Sequence, residues 1–132
     1  MTIRFYGEQI EKAFKEGDYE KAESLRKDCM GEPGFFGAFH EWWIGRHKRH
    51  KYGWDKLALE IIENYAHKTF TAKDLNCSGS KLINAAYWIG IDDLTTVGER
   101  PHRYKVNLGA FYIIFQFCPE IMEKVIKALK EI

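Results

Sequence analysis

Three observations on this 132-residue chain predict an α+β, mainly helical fold. Apolar residues recur at helical spacing near both ends, in residues 3–29 and 108–132. Between them, residues 71–107 read as a short helix, a turn, a second helix and a two-stranded ribbon. The length suits one compact unit, and nine Phe, seven Tyr and four Trp give it the bulk for a packed interior. Three sections are expected within that unit: a helical part at 1–54, the helix–ribbon part at 55–107 and closing helices at 108–132.

In chain order, residues 3–16 place Ile3, Tyr6, Ile10, Ala13 and Phe14 on one helical face. Gly17 stops that helix and Asp18 caps the next, 19–29. The string GDYEKA resembles the joint of a tetratricopeptide repeat, but no second copy follows, so a single helical hairpin is expected. Residues 30–34 (MGEPG) break the chain. A helix follows at 35–52, with Phe35, Phe36, Phe39, Trp42 and Trp43 ahead of the basic run 46–51. Asp55 can cap a helix running to about residue 68, with Ala58, Ile61, Ile62, Tyr65 and Ala66 on one face. The short helix is 71–75 (TAKDL), the turn 76–79 and the second helix 80–90. The ribbon is 93–97 and 103–107 around the tip 98–102 (GERPH). Two helical pieces, 108–118 and 119–132, end the chain, with Pro119 at the first turn of the second. Because Phe111, Tyr112, Phe115 and Phe117 wrap more than one face, a homodimer through these C-terminal helices is expected, with burial inside one chain as the alternative.

Composition narrows the function classes. No apolar run approaches the roughly 18 residues that span a bilayer, and the first residues lack the pattern of a signal peptide. A cytoplasmic protein that does not enter the membrane is expected. Cys29, Cys77 and Cys118 are odd in number and lack zinc spacing, so they are expected as reduced packing residues. There is no Gly-rich phosphate loop, GxSxG or HExxH, so neither enzyme activity nor a cofactor is expected. His40, His47 and His50 sit among cations that would repel a divalent metal. Net charge is only +1, but it is unevenly spread. Residues 1–34 carry six Lys/Arg against eight Asp/Glu, and residues 35–54 carry four against one. For nucleic-acid binding that local field matters more than the total.

The helix at 80–90 should bury Leu82, Ile83, Ala86 and Ile89 and turn Lys81, Asn84 and Trp88 outward, with Ser80 and Tyr87 flanking. Asn can pair bidentately with adenine, Lys can reach guanine or phosphate, and hydroxyls can reach phosphate oxygens. In the ribbon, Leu94, Tyr104 and Val106 should face inward and Arg103 and Lys105 outward, with Arg100 and His102 at the tip. Arg46, Lys48, Arg49 and Lys51 would add phosphate contacts, and Trp42, Trp43, Tyr52 and Trp54 could stack on unpaired bases. The bland counterpart is a solvated helix face, a charge-protected hairpin edge and core tryptophans.

With FTAKDL, SGSKLINAAYWIGI, DLTTV and RYKVN in this order, residues 55–107 resemble the winged helix-turn-helix superfamily of transcription regulators. The long helical N-terminal part departs from minimal members. The resemblance implies that helix 80–90 enters the major groove of double-stranded DNA and that the 98–105 wing reaches phosphates or the minor groove. Ser80, Lys81, Asn84, Tyr87, Arg100, His102, Arg103 and Lys105 are then the contact residues. Superfamily members also serve as protein-interaction scaffolds, so an adaptor is the competing expectation.

Overall fold

Tyr6, Ile10, Ala13 and Phe14 all lie buried along one side of α1 (Ile3–Lys15), as a helix with one wet face requires. The structure, a computed structural model, describes residues 3–32, 53–96 and 98–132. The helix expected at 35–52, including the basic run, lies outside the described residues. Gly17, at φ 75°, ends α1; its N–H returns to the Phe14 carbonyl, and that of Asp18 returns to Ala13. The Asp18 carboxylate then accepts from Lys21 N at 3.1 Å and starts α2 (Tyr19–Gly31).

Helix α3 (Trp54–Tyr65) begins one residue before the expected cap. Gly53 holds the cap position at φ 68°, which places Asp55 in the first turn. Residues 71–75 form hydrogen-bonded turns rather than an α-helix. Thr71 N donates to Asp74 Oδ2 at 2.9 Å, and the N–H groups of Leu75 and Cys77 both converge on the Ala72 carbonyl. The side chain of Asp74 thus satisfies a backbone group in a non-helical way. Asn76, at φ 52°, then reverses the chain.

Ser78 caps α4 (Gly79–Ile89) by accepting from Lys81 N at 3.1 Å, and Gly90, at φ 79°, closes it. The chain leaves Gly90 already extended, so the ribbon starts two residues earlier than the sequence suggests. Strands β1 (Ile91–Asp93) and β2 (Tyr104–Val106) pair antiparallel, with Ile91 opposite Val106, Asp92 opposite Lys105 and Asp93 opposite Tyr104. Directly opposed residues share a face. Ile91, Tyr104 and Val106 therefore form the buried side. Leu94, expected inside with Tyr104 and Val106, is 48% exposed, because the observed pairing sets it opposite Arg103 and so on the face of Asp92 and Lys105. Phe70 joins β2 from its other side, exchanging both backbone hydrogen bonds with Tyr104 at 3.0 and 2.9 Å.

Helix α5 (Leu108–Ile114) follows β2 through Asn107, and α6 (Pro119–Lys130) follows a short turn. The expected piece 108–118 ends at residue 114 with Phe115 as its C-cap (φ −102°, ψ 20°), and Cys118, preceding Pro119, is extended (φ −111°, ψ 90°). Every residue of α5 is buried. Covering this helix does not require a second copy. Phe111, Tyr112 and Phe115 are covered within the one chain, and only Phe117 is exposed. Helix α1 packs against both α2 and α5, while α6 packs against α5 and α3. Those neighbours cover the helix that looked too apolar for one chain.

The α1–α5 crossing is the tightest seam. A Cβ on Gly109 would lie 1.9 Å from the Gly7 carbonyl oxygen, and one on Gly7 would lie 2.3 Å from Asn107 Oδ1. Buried Asn107 ties the seam by accepting from Ala110 N at 3.0 Å and donating to the Arg4 carbonyl at 3.3 Å. Glu11 adds a carboxylate acceptor for Leu108 N at 2.8 Å. Among the described residues, no helix is long and apolar enough to cross a membrane.

Candidate nucleic-acid interface

Local rules present α4. Its cap at Ser78 and terminator at Gly90 fix where it starts and stops, and Leu82, Ala85, Ala86 and Ile89 anchor it in the core. Ser80, Lys81 and Asn84 are exposed, as expected. Two neighbours differ from expectation. Ile83, assigned to the core, is 47% exposed, and Ala85 is buried in its place. Trp88, assigned outward, is half-buried and stacks on buried Trp54 with ring centroids 6.4 Å apart. Trp54 is therefore a packing residue. The side chain of Tyr87, together with Arg46, Lys48, Arg49 and Lys51, lies outside the described residues.

Between the 71–75 turns, the start of α4 and the wing tip lies a groove of about 510 Å³. Its apolar lining comes from Ala72, Ile83, Pro101 and the ring of Tyr104, and its polar lining from Lys73, Ser80, Arg100 and His102. Three of the expected contact residues thus meet there, Ser80 from the helix and Arg100 and His102 from the wing. Lys81 and Asn84 belong to the same helix. The N–H groups of Gly79 and Ser80, in the first turn of α4, have no intrahelical carbonyl to reach, so the helix start presents donors beside the groove.

The ribbon divides the remaining cations. Arg103 and Lys105 alternate onto the face opposite His102 and Tyr104. Lys105 lies near Glu11 and Asp92, close enough to oppose the rise in both carboxyl pKa values. Burial is the larger influence on each: it lifts Glu11 against the Leu108 N–H bond, and it lifts Asp92 against Arg4, whose Nε donates at 2.8 Å. Lys105 is thus part of an internal charge cluster against α1, whereas exposed Arg103 is not.

His102 Nδ1 lies 2.9 Å from Asp93 Oδ2. Burial raises the Asp93 carboxyl, but hydrogen bonds from His102 and from the backbone and hydroxyl of Thr95 outweigh it and hold the group below the usual carboxylate range. The His102 ring is fixed further by stacking on Tyr104, with centroids 6.3 Å apart. Tyr104 is only 1% exposed, and its hydroxyl has no hydrogen-bond partner among the described residues. Burial, followed by the nearby Asp93 and Cys77, raises its phenol pKa. Sequence reasoning missed Lys73 and the Asp93–His102 pair. The pairing of Asp93 opposite Tyr104 is what puts it on the face of His102, and no local feature of the sequence marks that pairing.

Comparison with known proteins gives no match: no family model, curated protein or solved structure is similar to this chain. The structure therefore defines a class only by its own geometry, a mainly helical protein carrying a small antiparallel ribbon beside one exposed helix start.

Proposed function

We propose that the chain binds double-stranded DNA as a winged helix, with α4 in the major groove and the wing tip on the flanking backbone, in a transcription-regulatory role. One observation carries this reading: an exposed polar helix face and a cationic hairpin tip converge on a single groove. Ser80, Lys81 and Asn84 are the helix contacts, Arg100 and His102 are the wing contacts at the groove, and Arg103 reaches the backbone from the ribbon's other face. Lys105 is the weakest member of the set, because carboxylates on α1 and β1 already face it.

The order of elements supports the winged-helix reading. Helix α3, the Phe70 edge, the 71–75 turns, α4 and the β1–β2 ribbon follow one another, and Phe70 and β1 flank β2.

Fluorescence anisotropy with a random labelled duplex at two salt concentrations tests the proposal. Binding should weaken with salt, because cationic contacts to phosphate release counterions. The joint variant Lys81→Ala/Arg100→Ala should lose most of the affinity. Salt-independent binding, or affinity unchanged in the joint variant, refutes the assignment. Exposed Ile83 and Leu94 favour the adaptor reading instead. On that reading Ile83→Asp abolishes capture of a protein partner, while the duplex never binds.

A further inference from the structure

We propose that the groove between α4 and the wing is also a binding site for a small organic anion, with an apolar body and one anionic head. Three features of the groove point to such a ligand and go beyond a surface that meets a phosphate backbone. The volume, about 510 Å³, lies within the few hundred to one thousand Å³ usual for small-molecule sites. The lining is largely apolar, with Ala72, Ile83 and Pro101 forming a surface suited to a hydrocarbon body, between the cations on the rim. Ile83 is the most telling of these, a large aliphatic side chain left 47% exposed beside the cavity on an otherwise polar helix face. A ligand body covering it would remove that apolar area from water.

The third feature is the charge on the rim, which indicates the anionic head. Lys73 comes from the turn before α4 and Arg100 from the wing tip, so the two approach from different elements. The free N–H groups of the first turn of α4 add neutral donors suited to the same oxyanion.

The site shares Ser80, Arg100 and His102 with the proposed DNA surface, so occupation by the anion excludes duplex from the same residues. A ligand-controlled DNA contact is the consequence. The binding claim itself does not rest on the DNA reading, because it is tested without nucleic acid.

The test is a titration of the isotope-labelled full chain with three probes, read by amide chemical shifts. Phenyl phosphate carries both body and head, inorganic phosphate carries the head alone, and benzyl alcohol carries the body alone. Phenyl phosphate should give saturable shifts confined to residues 72–83 and 98–104, with at least about tenfold tighter binding than either fragment. Ile83→Asp and Arg100→Ala should each weaken it about tenfold. Because Ile83 and Arg100 are both exposed, each variant should leave the melting temperature nearly unchanged, which separates ligand loss from unfolding. Non-saturable shifts, shifts spread over α2 and α6, or equal affinity for inorganic phosphate overturn the proposal. If phenyl phosphate binds as described and duplex does not, the DNA reading fails and the anion site stands. If duplex binds and phenyl phosphate does not, the anion site fails alone.

Discussion

Replacing Gly109 by Ala tests the seam that sets the ribbon's position. The new Cβ would lie 1.9 Å from the Gly7 carbonyl oxygen, 2.5 Å from its carbonyl carbon and 2.6 Å from its Cα. All three atoms are backbone of α1, so no side chain can swing aside. Helices α1 and α5 must part until the first distance exceeds 3.0 Å, a shift of more than 1 Å. Overpacking of this kind costs about 1–3 kcal/mol. The same movement stretches the bonds from Leu108 N to Glu11 and from Asn107 to the Arg4 carbonyl, and a buried polar group left unpaired costs about 1–3 kcal/mol more. The sum, about 2–6 kcal/mol, is a large part of the roughly 5–15 kcal/mol that holds a domain folded. In urea, with a slope of about 2 kcal/mol per molar, the midpoint should fall by roughly 1–3 M. Gly31→Ala is the control. It sits at the end of α2 with nothing within 4 Å of the new Cβ, and it should stabilise by about 0.4–1 kcal/mol. A midpoint for Gly109→Ala within error of the parent protein refutes the close backbone contact.

Tyr104→Phe removes a buried hydroxyl without a partner, so the apo protein should hold its stability within about 1 kcal/mol or gain, as measured by thermal unfolding. Glu23 is held below its ordinary value of 4.5, first by the Arg26 side chain against the effect of burial, then by the Tyr112 hydroxyl at 2.8 Å. Its stabilisation is fully present above that ordinary value and is lost as pH falls through the lower folded value. Acid unfolding followed by circular dichroism should therefore be less steep in Glu23→Gln than in the parent. In duplex binding, Lys105→Ala should leave both affinity and salt dependence nearly unchanged, because Lys105 faces Glu11 and Asp92. Arg100→Ala should lower the slope of log K against log salt by about 0.9 in magnitude, one phosphate contact. A larger effect at Lys105 than at Arg100 contradicts the wing tip as the contact.

The features legible in the sequence were those fixed by near neighbours along the chain. Gly17 and Asp18 end one helix and start the next through bonds spanning only a few residues, and Pro119 marks the start of α6 in the same way. The exposed Ser80, Lys81 and Asn84 follow from periodicity. The misplaced residues depended on contacts distant in sequence. Ile83 and Ala85 are both compatible with the helix interior, and only the packing of α4 against the rest of the core decides between them. Leu94 was misplaced because the observed pairing sets it opposite Arg103, on the face of Asp92 and Lys105. The aromatic surface of α5 suggested a second copy because nothing local shows that α1, more than ninety residues away, crosses it at Gly7 and Gly109. The groove, assembled from the 71–75 turns, α4 and the wing, was visible only in the fold.

Mapping a short duplex onto the isotope-labelled chain by amide chemical shifts tests the central assignment most directly. The account predicts perturbations that start at residues 79–84 and 98–103, grow with duplex concentration and spare α2 and α6. Perturbations centred on α2 or α6, or none at concentrations that saturate non-specific binders, contradict it.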